Sequence, residues 1–562
     1  SANLKNYVKV TIPEGKDTLI SIDRAEVNIS LTDMLFLKVN PLEIWLTNPK
    51  INLVGEKDSS NYYFLFRPQK DSLQATAPES DNGISNRPLN NLYRMLKAMF
   101  GLTTASYHVT NFSFRYFDKY YTASVSIPSF ESDSKGFNTL IDIEENGNRS
   151  SLKLTGKADK RSNSIQFKAF RMGDKMPLPL LYPKLGLKLT FDTVEFQVMA
   201  NRLATNDVDL EINSSVRSLE VFSDKLSDQT VRINRGAFDF DILLNSERYL
   251  IDSTSSVDIN GLKANIFVEY LPNQNKYFSF KISTGEFKSQ QLFESLPEGL
   301  FTNLKGIKTS GSIDFSLVFG ASLNEPDSII LVPRLKTKNF GLIQYGNRNF
   351  AALNDTFSHA VFKDGVYVKT IHLDPRNRGF KRLDQISPFI TNALITSEDG
   401  AFFYNSGFEI EALKYAISEN IKQKRFARGG STITMQLVKN LYLTQNKNIF
   451  RKAEEYIIVW LIGSQAIVSK ERLLEIYFNI IEWGPNIYGV SEACQYYFKK
   501  APSEVTLDEA LYLASIVPRP TKFKYLFEKD GNLKPFMEDD LKFVSNKMLS
   551  RGMISEDQFN QL

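Results

Sequence analysis

The chain has 562 residues, too many for one hydrophobic core, so roughly two or three domains are expected. Its 68 basic and 64 acidic residues leave a net charge of +4, which argues against a wholesale nucleic-acid binder and makes any basic site local. The single cysteine, Cys494, excludes an intramolecular disulfide and any Cys-rich metal site, and is expected in a core.

Read in chain order, the first part alternates apolar and polar residues. Val8/Val10/Ile12, Val27/Ile29/Leu31, Leu185/Leu187/Leu189/Phe191, Val194/Phe196/Val198, Phe238/Phe240/Ile242, Phe278/Phe280/Ile282 and Ile313/Phe315/Leu317 each place one face inside and one in water. This predicts a long antiparallel β region over 1–338. Leu89 to Leu102 is a helical exception, with Leu92, Met95, Leu96, Met99 and Phe100 at 3 to 4 residue spacing, and so is a short piece near Gln291 to Leu300; both should plug or cap the sheet. Residues 339–387 hold Gly341, Gly346, Gly365, Pro375 and Gly379 among short strands, and read as a connector packing on the helical part of the chain.

The period changes at Pro388, where Ser387 can cap a helix and Pro fits its first turn. That helix should carry Glu398 near its end. Further helices are predicted at Glu409–Gln423, Ser431–Leu443, Phe450–Val468, Lys470–Ile481 and Thr506–Val517, the last opening with the capping box Thr506/Glu509, so 388–562 should be an α domain. The longest apolar run, Tyr456 to Val468, falls short of the roughly 20 residues a spanning helix needs. The chain starts at Ser1 without Met, so a trimmed signal or anchor upstream is expected.

Gly429-Gly430-Ser431-Thr432 before a helical pattern offers free N–H groups suited to a phosphate, although the same pattern is common as a plain cap. Gln436, Lys439 and Asn440 come next on one helix face. Lys422, Lys424, Arg425, Arg428, Lys439, Lys447, Arg451 and Lys452 form a local basic cluster, which implies an anionic ligand. Pyrophosphate fits. Nucleic acid is the rival, but stacking aromatics are sparse there. A Glu398-Asp399 pair alone reads as a solvated helix end; its company changes that. His108, His359 and His372 lie outside these segments, so no histidine triad is expected.

Taken together, "SEDGAFFYNSG", "RGGSTITMQLVKN", "FRKAEE" and "KERLLEIYFN" resemble, in order, the four signature motifs of family 51 glycosyltransferases, the peptidoglycan polymerases. The resemblance implies an all-α, lysozyme-like domain that polymerises lipid II into β-1,4 glycan strands with inversion, releasing undecaprenyl pyrophosphate. Glu398 would be the base that deprotonates the acceptor 4-hydroxyl, with Phe402, Phe403 and Tyr404 able to raise its pKa by desolvation. Glu455 would be the second carboxylate, provided the register is Arg-Lys-x-x-Glu and not one that selects Glu454. Ser431, Thr432, Gln436, Lys439, Asn440, Lys447, Arg451, Lys452 and Arg428 would bind substrate; Asp399, Phe402, Gly407, Glu475, Tyr477 and Asn479 would support the site. No organic cofactor is implied, and a divalent cation, Mg or Mn, is a candidate, with Glu455 its candidate ligand. Two positions depart from the pattern: Asn405 where His is usual, and Met435 where Gln is usual.

The implied partners are lipid II, the lipid-linked glycan chain, the outer face of the inner membrane and other cell-wall synthesis proteins, with no nucleic acid. The implied location is the periplasmic face of the inner membrane, where residues around Phe402 to Phe408 and Leu413 to Ile421 could meet the outer leaflet. "SNKMLSRGMIS" resembles the family's closing segment, so a monofunctional enzyme is expected. The β region more weakly resembles AsmA-type envelope proteins, which implies a lipid groove; a plain scaffold stands beside it. A non-catalytic scaffold that binds lipid-linked precursor and a lysozyme-like hydrolase are the alternative functions.

Overall fold

The computed structural model describes residues 2–4, 13–14, 17–29, 41–55, 60–61, 87–101, 105–133, 135–159, 161–175, 177–179, 181–426, 429–444, 448–528 and 534–562. The alternating set at Val8/Val10/Ile12, Leu31, and the site residues Arg428 and Lys447 lie outside them. The chain divides into two compact units, 1–300 with 312–338, and 301–311 with 339–562.

The first unit is a sheet whose central strands, Ser106–Phe117, Thr122–Asp133, Gly136–Glu145, Asn148–Asp159 and Ser164–Met172, pair in sequence order as antiparallel neighbours. The series continues through Thr193–Ala204, Asp207–Phe222 and Val231–Asn245. Asn146-Gly147 and Asn260-Gly261 have positive φ at both residues, which is the turn that joins twisted antiparallel strands with two residues. One local exception breaks the antiparallel rule. Pro41–Thr47 and Lys50–Val54 both run parallel to Ser106–Phe117, which the long intervening connection with its Arg87–Gly101 helix permits.

That helix does lie on the sheet: Leu89, Leu96 and Phe100 pack with Val198, Ala200, Val208 and Leu210. A second cluster forms around Ile143, Leu152, Ala169 and Phe191. Register aligns Phe167, Phe196, Ser214 and Phe238 across four strands, and Phe196 of this row packs against the cluster that holds the helix. Several expected inward residues are half-buried, and at Phe278 the expected alternation is reversed: Phe278 is exposed while Ser279 is buried.

Two sequence expectations need correction here. Leu185/Leu187/Leu189/Phe191 is not one strand: Leu181–Leu185 is a short helix ended by Gly186 at φ +65, and only Lys188–Thr190 is extended. The second predicted helix covers Ser289–Ser295 only, because Leu296 precedes Pro297 and is held extended.

In the second unit the predicted helices appear at Pro388–Glu398, Ile410–Lys422, Ile433–Tyr442, Ile449–Ser464, Lys470–Ile480 and Leu507–Ile516. Val490–Phe498, which carries fully buried Cys494, and Pro535–Ser550 are additional. The Ile449–Ser464 helix stops four residues earlier than the apolar run suggests. Ala466 turns left-handed, and the Ile467 and Ala466 N–H groups close back on Ile462 and Gly463. The connector folds as a hairpin, Phe357–Lys363 with Val366–Leu373, around an Asp364-Gly365 turn. The segment 301–311 contributes buried Phe301, Leu304 and Ile307. Among the described residues no helix is long and apolar enough to cross a membrane.

Candidate active site

Glu398 is the last residue of a helix whose start is set by Ser387, which accepts from Phe389 N–H, and by Pro388 in the first turn. Asp399 leaves the helix and is buried, so the two adjacent carboxylates have different surroundings. Its Oδ1 accepts from Asn405 Nδ2 at 2.8 Å and its Oδ2 from the Ile433 amide at 3.2 Å, at the start of the next helix but one. Burial pushes the Asp399 carboxyl up, and those donors and Lys470 pull it back.

Asn405, the departure in the first motif, ties this corner together. Besides donating to Asp399, it accepts from Gly407 N–H at 2.9 Å and from Lys470 Nζ at 3.1 Å. Gly407 has φ +102, a conformation that disfavours a side chain, and a Cβ there would stand 2.5 Å from Val459 Cγ1. Its carbonyl accepts from Thr432 Oγ1 at 2.7 Å, and that hydroxyl also accepts from Met435 N–H as the helix cap. Gly407→Ala should therefore lower unfolding stability by about 1–3 kcal/mol and loosen the Thr432 seat; an unchanged denaturant midpoint would refute this.

Thr432 is buried and its hydroxyl is committed to the cap, whereas Ser431 is half-buried and accepts from Lys452 Nζ at 3.1 Å. Met435, the second departure, is buried in the core. Gln436 donates from Nε2 to Glu398 Oε2 at 2.6 Å and accepts at Oε1 from the Tyr477 hydroxyl at 2.9 Å. Tyr477 is fully buried, and burial beside Glu398 and Asp399 drives its phenol well above its ordinary range.

The register of the third motif is decided by where the two glutamates point. Glu455 is 1% exposed, with Oε1 2.5 Å from Lys452 Nζ and Oε2 3.9 Å from Arg451 Nη1. Glu454 faces elsewhere and accepts from the amide and the side chain of Asn303, at 2.9 and 3.2 Å. Glu455 is thus the carboxylate of the cationic cluster. Lys439 and Asn440 are exposed on their helix. The Lys439 amine is crowded by protein, which lowers its pKa; Arg451 and Lys452 act the same way, and Glu455 and Glu398 oppose them.

Glu455 Oε2 has no hydrogen-bond partner among the described residues, but as a metal ligand the group fits poorly. Two cations already face it, and no set of three His, Cys, Asp or Glu side chains suited to a metal occurs among the described residues.

The fourth-motif residues divide their work. Tyr477 reaches the Glu398 site through Gln436. Asn479 bonds the Lys381 amide and carbonyl at 2.9 and 2.8 Å, and Glu475 accepts from the Leu383 amide at 3.0 Å and pairs with Arg472, so these two hold the entry to the Glu398 helix. Phe402 is fully buried beneath Lys470 Nζ, 4.6 Å from its ring centre. Of the three aromatics expected around Glu398, Phe402 is fully buried, whereas Tyr404 is 93% exposed and Phe403 is also exposed. Lys470 was missed as a site residue although it opens the fourth motif; Asn303, far away in sequence, left no signal.

A carboxylate at a helix end, opposite a capped helix start and a cluster of lysine and arginine, defines a glycosyl- or phosphate-transferring class of site. Residues 364–548 match the family described as Transglycosylase. A protein of Paraburkholderia xenovorans named biosynthetic peptidoglycan transglycosylase is 39% identical over 165 residues, 29% of this chain and 66% of its own length. Proteins of the same name from Paraburkholderia phytofirmans and Acinetobacter baylyi are 41% and 36% identical, over 60% and 74% of their lengths and 26% and 28% of this chain. The chain belongs to the transglycosylase family. It spans 60 to 66% of the length of the two Paraburkholderia relatives.

Proposed function

We propose that this chain is a peptidoglycan glycosyltransferase of the cell envelope, which polymerises lipid II. The observation that carries the reading is that one helix joins the two halves of the site: Gln436 on Ile433–Tyr442 donates to Glu398 at 2.6 Å, and Ser431, just before that helix, accepts at 3.1 Å from Lys452, which pairs with Glu455 at 2.5 Å. Glu398 takes the proton from the acceptor 4-hydroxyl as that oxygen bonds to the anomeric carbon. The bond from that carbon to the pyrophosphate oxygen breaks with inversion, and undecaprenyl pyrophosphate leaves with the electron pair. Lys452, Arg451 and Lys439 stabilise the charge that grows there without a proton transfer. A hydrolase would have no use for so many cations beside its carboxylates.

The finer parts of the reading are a lysozyme-like plan for the helical unit, an AsmA-like one for the sheet, and a place at the periplasmic face of the inner membrane. Exposed Tyr404, Phe426 and Ile449 support contact of the helical unit with a bilayer surface. A divalent ion would have to arrive with the pyrophosphate. For the lipid-guiding role the sheet offers an open depression of about 590 Å³ in which Phe167, Phe196 and Phe238 stand among polar and charged residues such as Lys168, Glu195, Arg235 and Asp258, so the Phe residues alone support that role. Delipidated protein exposed to a membrane extract should recover lipid; recovery of none counts against that role. For the transferase, purified protein given lipid II should produce long glycan that a muramidase digests. Lipid II bound but left unpolymerised would favour a scaffold.

A further inference from the structure

We infer that Tyr477 is a positioning residue for the general base, acting through the Gln436 amide to keep Glu398 facing an N–H donor. This rests on the transferase reading and deepens it. A carboxamide has nearly the same shape in either orientation, so packing alone cannot decide which end meets Glu398. The Tyr477 hydroxyl could accept as well as donate, but it is fully buried and Gln436 is its one hydrogen-bond partner among the described residues, so accepting from Nε2 would leave its own O–H without an acceptor; donating to Gln436 Oε1 at 2.9 Å, it leaves Nε2 to donate to Glu398 Oε2 at 2.6 Å.

The phenol suits this task. It is completely buried, so it stays protonated through the neutral range and remains a donor. An N–H donor favours the charged form of Glu398, which is the form that can take a proton. A turned amide would present its carbonyl and favour the protonated acid instead, disarming the base. Titratable groups around this corner include Lys439 on the Gln436 helix, Tyr477 on the helix beyond, and Asp399 next in the chain. The relay that reaches the Glu398 carboxylate through the Gln436 amide spans 38 and then 41 positions of sequence, so three separate elements must pack correctly to set it.

The test is the pH dependence of turnover on lipid II. Tyr477→Phe keeps the buried ring, and should lower kcat on the order of tenfold near the acid limb while moving that limb to higher pH. Gln436→Met removes the N–H itself and should move the limb the same way. The double variant should match Gln436→Met alone, since one path serves both. A kcat that falls equally at every pH with the limb unmoved, or losses that multiply in the double variant, would overturn the relay. If Tyr477→Phe does not fold, an unmoved limb in Gln436→Met overturns it alone. If the wild type makes no polymer, the transferase reading fails separately, and the relay is read by carboxyl carbon NMR. There the Glu398 signal, identified by its loss in Glu398→Gln, should titrate at higher pH in Tyr477→Phe, and an unchanged midpoint rejects the relay.

Discussion

Glu398→Gln should reduce the initial rate of lipid II polymerisation on the order of 10² to 10⁴-fold, the range a positioned general base contributes. The substitution preserves volume and keeps an oxygen that can accept from Gln436 Nε2, so the 2.6 Å contact has a neutral equivalent. What it removes is the ability to receive the acceptor proton. Stability should stay within about 0.5 kcal/mol, since Glu398 is only half-buried and lies at a helix end. Rate and thermal unfolding measured on one preparation separate the two effects. A variant that unfolds normally yet polymerises at the wild-type rate would exclude Glu398 as the base.

Glu455→Gln is the second large expectation, and here two effects oppose each other. Losing a buried charge relieves desolvation, but it also strips Lys452, Arg451 and Lys439 of the carboxylate they crowd around. Breaking a fully buried pair costs several kcal/mol, yet Lys452 retains about a third of its side-chain exposure and can turn to water. The stability loss should therefore be modest, about 1–2 kcal/mol. Activity should suffer more, falling on the order of 10²-fold, because Lys452 held by Glu455 is also the group that reaches Ser431 at 3.1 Å. Lys452→Met in the Glu455→Gln background should add little further loss. Equal activity in wild type and Glu455→Gln would remove Glu455 from the working site.

Much of this site was legible in the sequence because its signals are local. The Ser387-Pro388 start, the Thr506/Glu509 box and the apolar period of the helices depend on residues one turn apart, and each lies where the pattern put it. The parallel strand pairs and the broken Leu185–Phe191 run were not legible in the same way, since a long crossover and a left-handed Gly186 override alternation.

By itself the sequence determined that the chain carries a β-rich part and a helical part with a cationic helix start and two acidic motifs in order. Tertiary structure alone decided which partners each carboxylate meets. Asp399 is drawn to the Ile433 amide and Asn405, Glu454 to Asn303 at a distance of 151 residues, and Glu455 to Lys452. Adjacent residues on a helix point about 100° apart, so neighbours such as Glu454 and Glu455 are equivalent as letters. They become different only when other elements pack on one side and leave the other facing cations.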